Sequence, residues 1–336
     1  MENFYFIGVD VSKKKLDICV MCGSKVIAEE QVINHQQAIT MLINKFEQDL
    51  NMTNNDFLIC AEHTGQYTYP LICACKSASY KLWIENPTQI KYSSGMTRGK
   101  NDRVDAKRIA MYASRFYDKA TYYKRPAEEL IRLKQLEAER TLYLVDLSKY
   151  KAQVTDQKDF MPKAIYKSKS DRLKILIQSL EQVLKRIEEE MNKIIESTRV
   201  LTRQMDLLMS IDGVGRVVAM NMIIVTEAFT RFDNPRQFCC YAGVAPFTYT
   251  SGSSQHSKSK VSQKACKYIK TLLHMAAVAV IHRKGGELKV YYERKVDEGK
   301  NKMTIINALR AKLVARMFAV VKRDEFYSSI LSKNIC

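Results

Sequence analysis

The chain contains no apolar run approaching the roughly 20 residues that a membrane-spanning helix needs. Its first residues, MENFYFIGVD, lack a basic stretch leading into an apolar core, so no secretory signal is expected. Glycine and proline are sparse, 12 and 6 of 336 residues, which excludes fibrous and low-complexity classes and leaves a globular protein long enough for two cores. Acidic residues are also scarce: 36 Asp and Glu face 54 Lys and Arg, a formal charge of +18. That excess calls for a polyanionic partner, nucleic acid in the first place, and no membrane partner is expected. The nine cysteines are odd in number and mostly lie inside apolar runs, the pattern of reduced, buried thiols in a cytoplasmic protein. Cys19 and Cys22 have zinc-like spacing, but no second pair matches them and no zinc site is expected.

FYFIGVD, KLDICVMC and KVIAEEQVI read as three short strands joined by brief polar turns. Residues 36–50 have helical spacing, FLICAE is a buried-strand run, 67–77 a helix, YKLWIEN another strand, and 102–116 a helix. This order implies an α/β domain, a mixed sheet covered by helices, over residues 1–125. From Glu128 to about Phe160 helix formers dominate, and 161–171 reads as a turn. From Leu173 to Leu208 apolar residues then alternate steps of four and three over five heptads, with Thr198 as the one polar position. That is a coiled-coil seam, expected to run unbroken within an arm spanning 126–209. The two long helices either fold back as an antiparallel hairpin or pair with another subunit, and assembly as a dimer or tetramer is expected through this arm. Residues 210–336 form a mainly α third part. It has a helix, glycine turn, helix element around Gly213 and Gly215, which reads equally as a phosphate-binding helix-hairpin-helix and as a plain interhelical turn, a Ser-rich loop at 250–260, and helices over 264–281 and 304–321.

Asp10 ends the first strand and Glu62 ends FLICAE, the strand-end positions where open α/β sheets present ligands. Asp102 and Asp105 stand three apart in KNDRVDA, on one helix face, among Lys100, Arg103, Lys107 and Arg108. Two acids so placed repel unless a cation lies between them, whether a flanking side chain or a bound metal ion. Taken singly, each acid has an ordinary explanation; Asp102, for one, suits a helix N-cap. If the four converge they need hard cations, and Mg²⁺ prefers such oxygen ligands; a pair of such ions suits phosphodiester cleavage. Residues 87–125 hold ten Lys and Arg against three acids, a field that draws phosphate to these carboxylates. Asp17 is a candidate fifth ligand that reads rather as an exposed strand residue, and His63, beside Glu62, reads as part of a turn rather than as a ligand. Between Asn234 and Gly286 there is no acid, while Lys258, Lys260, Lys264 and five further cations surround the Ser-rich loop. Such a loop is suited to phosphate, yet composition alone singles out none of its five serines as a nucleophile. Tyr241, Tyr249 and Tyr268 are equally suited to stacking on bases and to packing on the core.

Taken together, IGVDVSKKKLDICV, AEHTGQY, KNDRVDAKRIA, GVG, YAGVAP and TSG occur in an order that resembles the DEDD transposases of insertion sequences, relatives of the Piv-type DNA invertases. The resemblance spans nearly the whole chain. It implies a ribonuclease-H-like (RuvC-like) N-terminal domain with Asp10, Glu62, Asp102 and Asp105 as the Mg²⁺ ligands. It implies Ser251, of the Ser-Gly pair after YAGVAP, as a covalent nucleophile. It also implies a structured guide RNA (a bridge RNA) that pairs with donor and target DNA, and action in the cytoplasm at the nucleoid. Asp212, where a proline is common, and Ala265-Cys266, in place of Gly-Asn, depart from the family pattern. The function expected is therefore that of a DNA transposase or recombinase. A Holliday-junction-resolvase-like nuclease, in which water attacks, and a non-catalytic nucleic-acid-binding protein are the alternatives.

Overall fold

The computed structural model describes residues 4–93, 102–245, 250–251, 255–256 and 265–328; the side chains of Asp102, Arg103, Thr250, Ser251, Gln255 and His256 lie outside that description. The chain divides into two compact units, Met1–Arg125 and Pro126–Cys336.

The first unit is built on five strands: β1 (Tyr5–Val11), β2 (Lys15–Cys22), β3 (Lys25–Ile33), β4 (Phe57–Glu62) and β5 (Leu82–Glu85). Their order is β3-β2-β1-β4-β5, with β1, β2 and β3 an antiparallel meander and β4 and β5 added parallel to β1. This is the ribonuclease-H-like arrangement. Because side chains alternate between faces, β1 is apolar on both sides. Ile7, Val9 and Val11 pack with Ile39, Ile43 and Phe46 of α1 (Gln36–Asp49) and Leu71 and Ala74 of α2 (Tyr69–Ser77). Phe6, with Leu58, Cys60 and Trp83, meets Ile90 of α3 (Pro87–Ser93) and Ile109 and Ala113 of α4 (Asp102–Arg115). The sheet is thus covered on both faces.

The second unit is helical. α5 (Glu128–Asp156) runs 29 residues without glycine or proline, with Glu128 and Glu129 in its first turn, where the helix dipole favours acids. It folds back on α6 (Lys163–Ser197) as an antiparallel hairpin. Arg132 reaches Glu190 at 2.6 Å, Arg140 reaches Glu188 at 2.8 Å and Lys151 reaches Glu181 at 2.7 Å, so position rises on one helix as it falls on the other. These exposed pairs set the register and add little stability. Leu184, Ile187, Met191 and Ile194 are buried along the seam.

Two expectations fail here. The segment 161–171 is helical from Lys163 onward, because Tyr166 donates its hydroxyl to the Val154 carbonyl at 2.8 Å and Lys169 donates to Gln153 at 2.8 Å, binding the first turns of α6 to α5. The seam also breaks at its one polar position. Thr198 is extended (φ −117°, ψ 105°), and a separate helix α7 (Arg199–Met209) follows. Beyond it come α8 (Arg216–Val225), α9 (Pro235–Tyr241), a two-stranded pair β6 (Thr250–Ser251) and β7 (Gln255–His256), α10 (Lys267–His282), α11 (Glu287–Asp297) and α12 (Lys302–Arg323). Asn301 caps α12, accepting from the amides of Met303 and Thr304. A single core joins the hairpin base to these helices, running from Leu133 and Ile195 through Leu208 and Ile223 to Leu273 and Leu313. Within it, buried Glu137 of α5 accepts from Asn221 of α8 at 3.1 Å and from the Tyr268 hydroxyl of α10 at 2.5 Å. Among the described residues no helix is long and apolar enough to cross a membrane.

Candidate catalytic centre

Strand register sets the height of each acid. β1 and β4 pair Gly8 with Cys60 and Val9 with Ala61, which brings Asp10 and Glu62 to the same level at the ends of adjacent parallel strands. Across the antiparallel side Asp10 is directly paired with Asp17 of β2, and on the other flank Glu62 is paired with Glu85 of β5. Four neighbouring strands therefore carry a carboxylate at one level. The same alternation places all four on the α4 face. Asp10 lies two residues from Gly8, Glu62 two from Cys60, Glu85 two from Trp83 and Asp17 two from Cys19, and these partners face α3 and α4.

Gly8 makes the close approach of α4 possible. A Cβ there would lie 2.3 Å from the Ala106 carbonyl oxygen and 2.3 Å from the Ala110 nitrogen, so only glycine opposite these small residues lets the helix backbone rest on β1. Along β1, Phe6 meets Ile109 and Ala113, and Gly8 meets Ala106 and Ala110. Two strand residues advance about as far as one helical turn, so Asp10 comes level with the first turn of α4, which holds Asp102 and Asp105. Asp105 is half-buried, and its Oδ1 accepts from Arg108 Nη1 at 2.7 Å. The Asp102 carboxylate lies outside the described residues, and among those described no three His, Cys, Asp or Glu side chains form a metal-holding group by themselves.

Two further acids stand at this level, and of these Glu85 was not singled out from the sequence. Asp17 is not the exposed strand residue expected: it is 3% exposed, because α4 covers the face that it shares with Cys19 and Met21. It is held by Lys15 Nζ at 3.1 Å and Gln31 Nε2 at 2.8 Å. Glu85 accepts from the Tyr112 hydroxyl of α4 at 3.0 Å and from the Asn86 amide at 2.6 Å. Burial, reinforced by Glu85, raises the Tyr112 pKa, so the phenol stays a donor that ties α4 to the sheet edge. The signal for Glu85 was present, since KLWIEN ends a buried run in an acid as FLICAE does. His63 lies in a turn, as expected, with the Gly65 amide donating to its Nδ1 at 3.4 Å.

Of the basic residues expected to meet nucleic acid, Lys107 is exposed on α4 and Arg108 is engaged with Asp105. Burial and Glu29 push the nearby Cys19 thiol up to about 11 against the opposing pull of Lys107, so this thiol is inert. Lys100, Lys258, Lys260 and Lys264 lie outside the described residues, as does the Arg103 side chain.

In the second unit, the turn between α7 and α8 holds two glycines with different roles. Gly213 has φ +84°, and a Cβ on it would lie 2.3 Å from Val280 Cγ2 and 2.7 Å from the Ala276 carbonyl, so it is a packing position against α10. Gly215 is exposed at the N-cap of α8 with nothing within 4 Å of such a Cβ, and beside it Arg216 is exposed too. Ser251 stands in β6, paired with Gln255, while His256 is paired with Thr250. Tyr268 is taken up by Glu137, with its pKa raised to about 12 chiefly by burial, and Tyr241 packs against Phe232 and Phe238. Tyr249 lies outside the described residues.

A family model described as "Transposase IS116/IS110/IS902 family" matches residues 205–293, and the DEDD transposase model of the same IS110 group matches residues 7–161. The chain belongs to the IS110 family of transposases. It is accordingly a DNA-recombining enzyme, and Asp10, Asp17, Glu62 and Glu85 of the sheet all lie inside the DEDD match. Similar proteins include the pilin gene-inverting proteins of Moraxella bovis and Moraxella lacunata, 23% and 24% identical over 321 residues, 95% of this chain and 96% of each relative. T. thermophilus RuvC in complex with Holliday junction substrate is 13% identical, covering 35% of this chain and 98% of that chain, with a TM-score of 0.27. The ribonuclease-H-like assignment of this IS110 transposase rests on its strand order and its family.

Proposed function

We propose that this transposase cuts and rejoins the DNA of its insertion sequence at a centre formed by Asp10, Glu62, Asp102 and Asp105, with Ser251 as covalent nucleophile. The observation that carries the reading is the level set by the strands: Asp10 and Glu62 end adjacent parallel strands beside the first turn of α4. An all-oxygen donor set of this kind fits Mg²⁺, and no nitrogen or sulfur ligand stands among the four. Mg²⁺ bound there would neutralise phosphate charge and favour attack at phosphorus.

The chain's own residues do the rest. α4 is seated by Gly8 and by the Tyr112–Glu85 hydrogen bond, which supports a centre at its first turn, where residues 102 and 105 stand level with the strand ends. Lys107, with Lys100 and Arg103, draws the phosphate backbone toward the acids. Ser251 Oγ forms a bond to phosphorus as the bond to the deoxyribose oxygen breaks, and the serine proton passes to solvent while the departing sugar oxygen takes one up. Attack by a second deoxyribose hydroxyl reverses these steps and joins the new strands. The phosphoserine keeps the bond energy, so exchange needs no external source.

The three-part division into residues 1–125, 126–209 and 210–336, a structured guide RNA bound to donor and target DNA, and assembly as a dimer or tetramer belong to the same reading. The acid-free segment 234–286, with Lys258, Lys260 and Lys264, supports nucleic-acid contact, as does exposed Gly215. Exposed Leu142, Val145 and Ile175 on the hairpin support assembly.

The test uses the full chain with its co-purifying nucleic acid on a supercoiled plasmid carrying the element. Ser251→Ala should abolish strand exchange and any protein–DNA adduct that survives denaturation, and Asp105→Asn should abolish cutting. Cutting that survives Ser251→Ala while Asp105→Asn removes it would replace this reading with a resolvase-like nuclease in which water attacks.

A further inference from the structure

Arg310 of α12 is the most anomalous charge in the second unit. It is only 5% exposed, yet no carboxylate lies within ion-pair distance among the described residues, and its Nε has no hydrogen-bond partner. A buried cation without a counter-charge is costly, and an apolar side chain of similar volume serves packing better. Violations of this kind concentrate at functional positions.

The contacts that Arg310 does make form a line. Nη2 lies 2.7 Å from His274 Nδ1 on α10, and Nη1 donates to Asn307 Oδ1 at 3.3 Å, one turn earlier on α12. Asn307 Nδ2 donates in turn to the Val244 carbonyl at 2.8 Å. Val244 is buried in YAGVAP, just after Gly243 turns the chain with φ +66°, and it stands seven residues before Ser251. Burial and the Arg310 charge both lower the His274 pKa, keeping the imidazole neutral and Nδ1 an acceptor. A planar guanidinium suits this task because its fixed donors reach acceptors on two helices at once, which a lysine ammonium on a flexible stem does not.

We infer that Arg310 and Asn307 are positioning residues for Ser251: the line from His274 through Arg310 and Asn307 fixes the Val244 carbonyl, and with it the start of the chain that carries the nucleophile. Neither residue is assigned contact with DNA. The inference rests on the Ser251 reading of the proposed function.

Two variants separate positioning from support of the fold. Asn307→Asp places a carboxylate beside Arg310 and supplies the missing counter-charge, but it has no donor for the Val244 carbonyl. Arg310→Met keeps the packing volume and removes the charge. Both should melt no lower than the parent, while the single-turnover rate of adduct formation on the plasmid falls roughly ten- to a hundredfold. The DNA concentration at half-saturation should stay within about twofold of the parent value. Arg310→Lys, which keeps the charge and loses the fork, should be slow as well. The inference is overturned if Asn307→Asp forms adduct at the parent rate, or if the loss lies in DNA affinity and its salt dependence, which would make Arg310 a phosphate contact. It is equally overturned if activity falls only in proportion to lost folded protein. Ser251→Ala run alongside keeps the two readings apart: adduct that persists in that variant refutes the nucleophile, whereas its loss together with a fast Asn307→Asp refutes only the positioning.

Discussion

Replacing Gly8 by alanine tests whether the seat of α4 governs the acid centre. The added Cβ would meet the Ala106 oxygen and the Ala110 nitrogen at 2.3 Å and the Ala110 Cα at 2.8 Å, all backbone atoms that no rotamer change can move. Restoring the 3.4 Å of an ordinary contact requires α4 to retreat by about 1 Å from β1. Overpacking of this kind costs about 1–3 kcal/mol, so thermal unfolding of Gly8→Ala should come several degrees earlier. The retreat also carries Asp102 and Asp105 away from Asp10 and Glu62, and a misplacement of about 1 Å is worth up to about 10²-fold in rate. Plasmid cutting should therefore slow well beyond the loss of folded protein, and the Mg²⁺ concentration at half-maximal rate should rise. Unchanged melting would refute the close approach. Lowered melting with cutting that merely tracks the folded fraction would refute the link between α4 and the centre.

The two glycines of the α7–α8 turn should respond differently. Gly213→Ala combines a left-handed φ with a 2.3 Å contact to Val280 and should cost about 2 kcal/mol or more in urea unfolding, whereas Gly215→Ala, in open space, should cost at most about 1 kcal/mol. The acid limb of stability should involve His274. Its folded pKa lies below the unfolded value near 6.5, through burial and then Arg310, so the stability it contributes is present above that value. This contribution is lost as the pH falls below about 6.5, where the unfolded state gains the proton first. His274→Asn, whose Oδ1 replaces Nδ1 as acceptor for Arg310, should flatten the decline in melting temperature between pH 7 and 5, and an unaltered decline would contradict the assignment.

Much of the first unit was legible because strand ends and turns are local signals. Asp10 and Glu62 close apolar runs, and the α4 residues at 102 and 105 share a face whatever the tertiary setting. What escaped was set by contacts between distant segments. Asp17 reads as exposed because its neighbours on the strand say nothing of the helix that covers its face from about ninety residues away. The seam through Thr198 looks continuous because heptad spacing records apolar positions and not backbone direction, and the chain turns at the one place where a polar residue allows it. The 161–171 segment has turn-like composition, yet it is helical because side chains from its first turns bind across to α5. In the second unit, the role of Arg310 depends on a carbonyl 66 residues earlier, beyond the reach of any pattern in sequence.

The most direct measurement is mass spectrometry of the denatured, nuclease-trimmed complex recovered after reaction on the plasmid with Mg²⁺ present. The account predicts a nucleotide joined through phosphate to the peptide containing Ser251, absent when Mg²⁺ is withheld and absent in Asp105→Asn. Cut DNA with no modified peptide, or a nucleotide on a different residue, would contradict it.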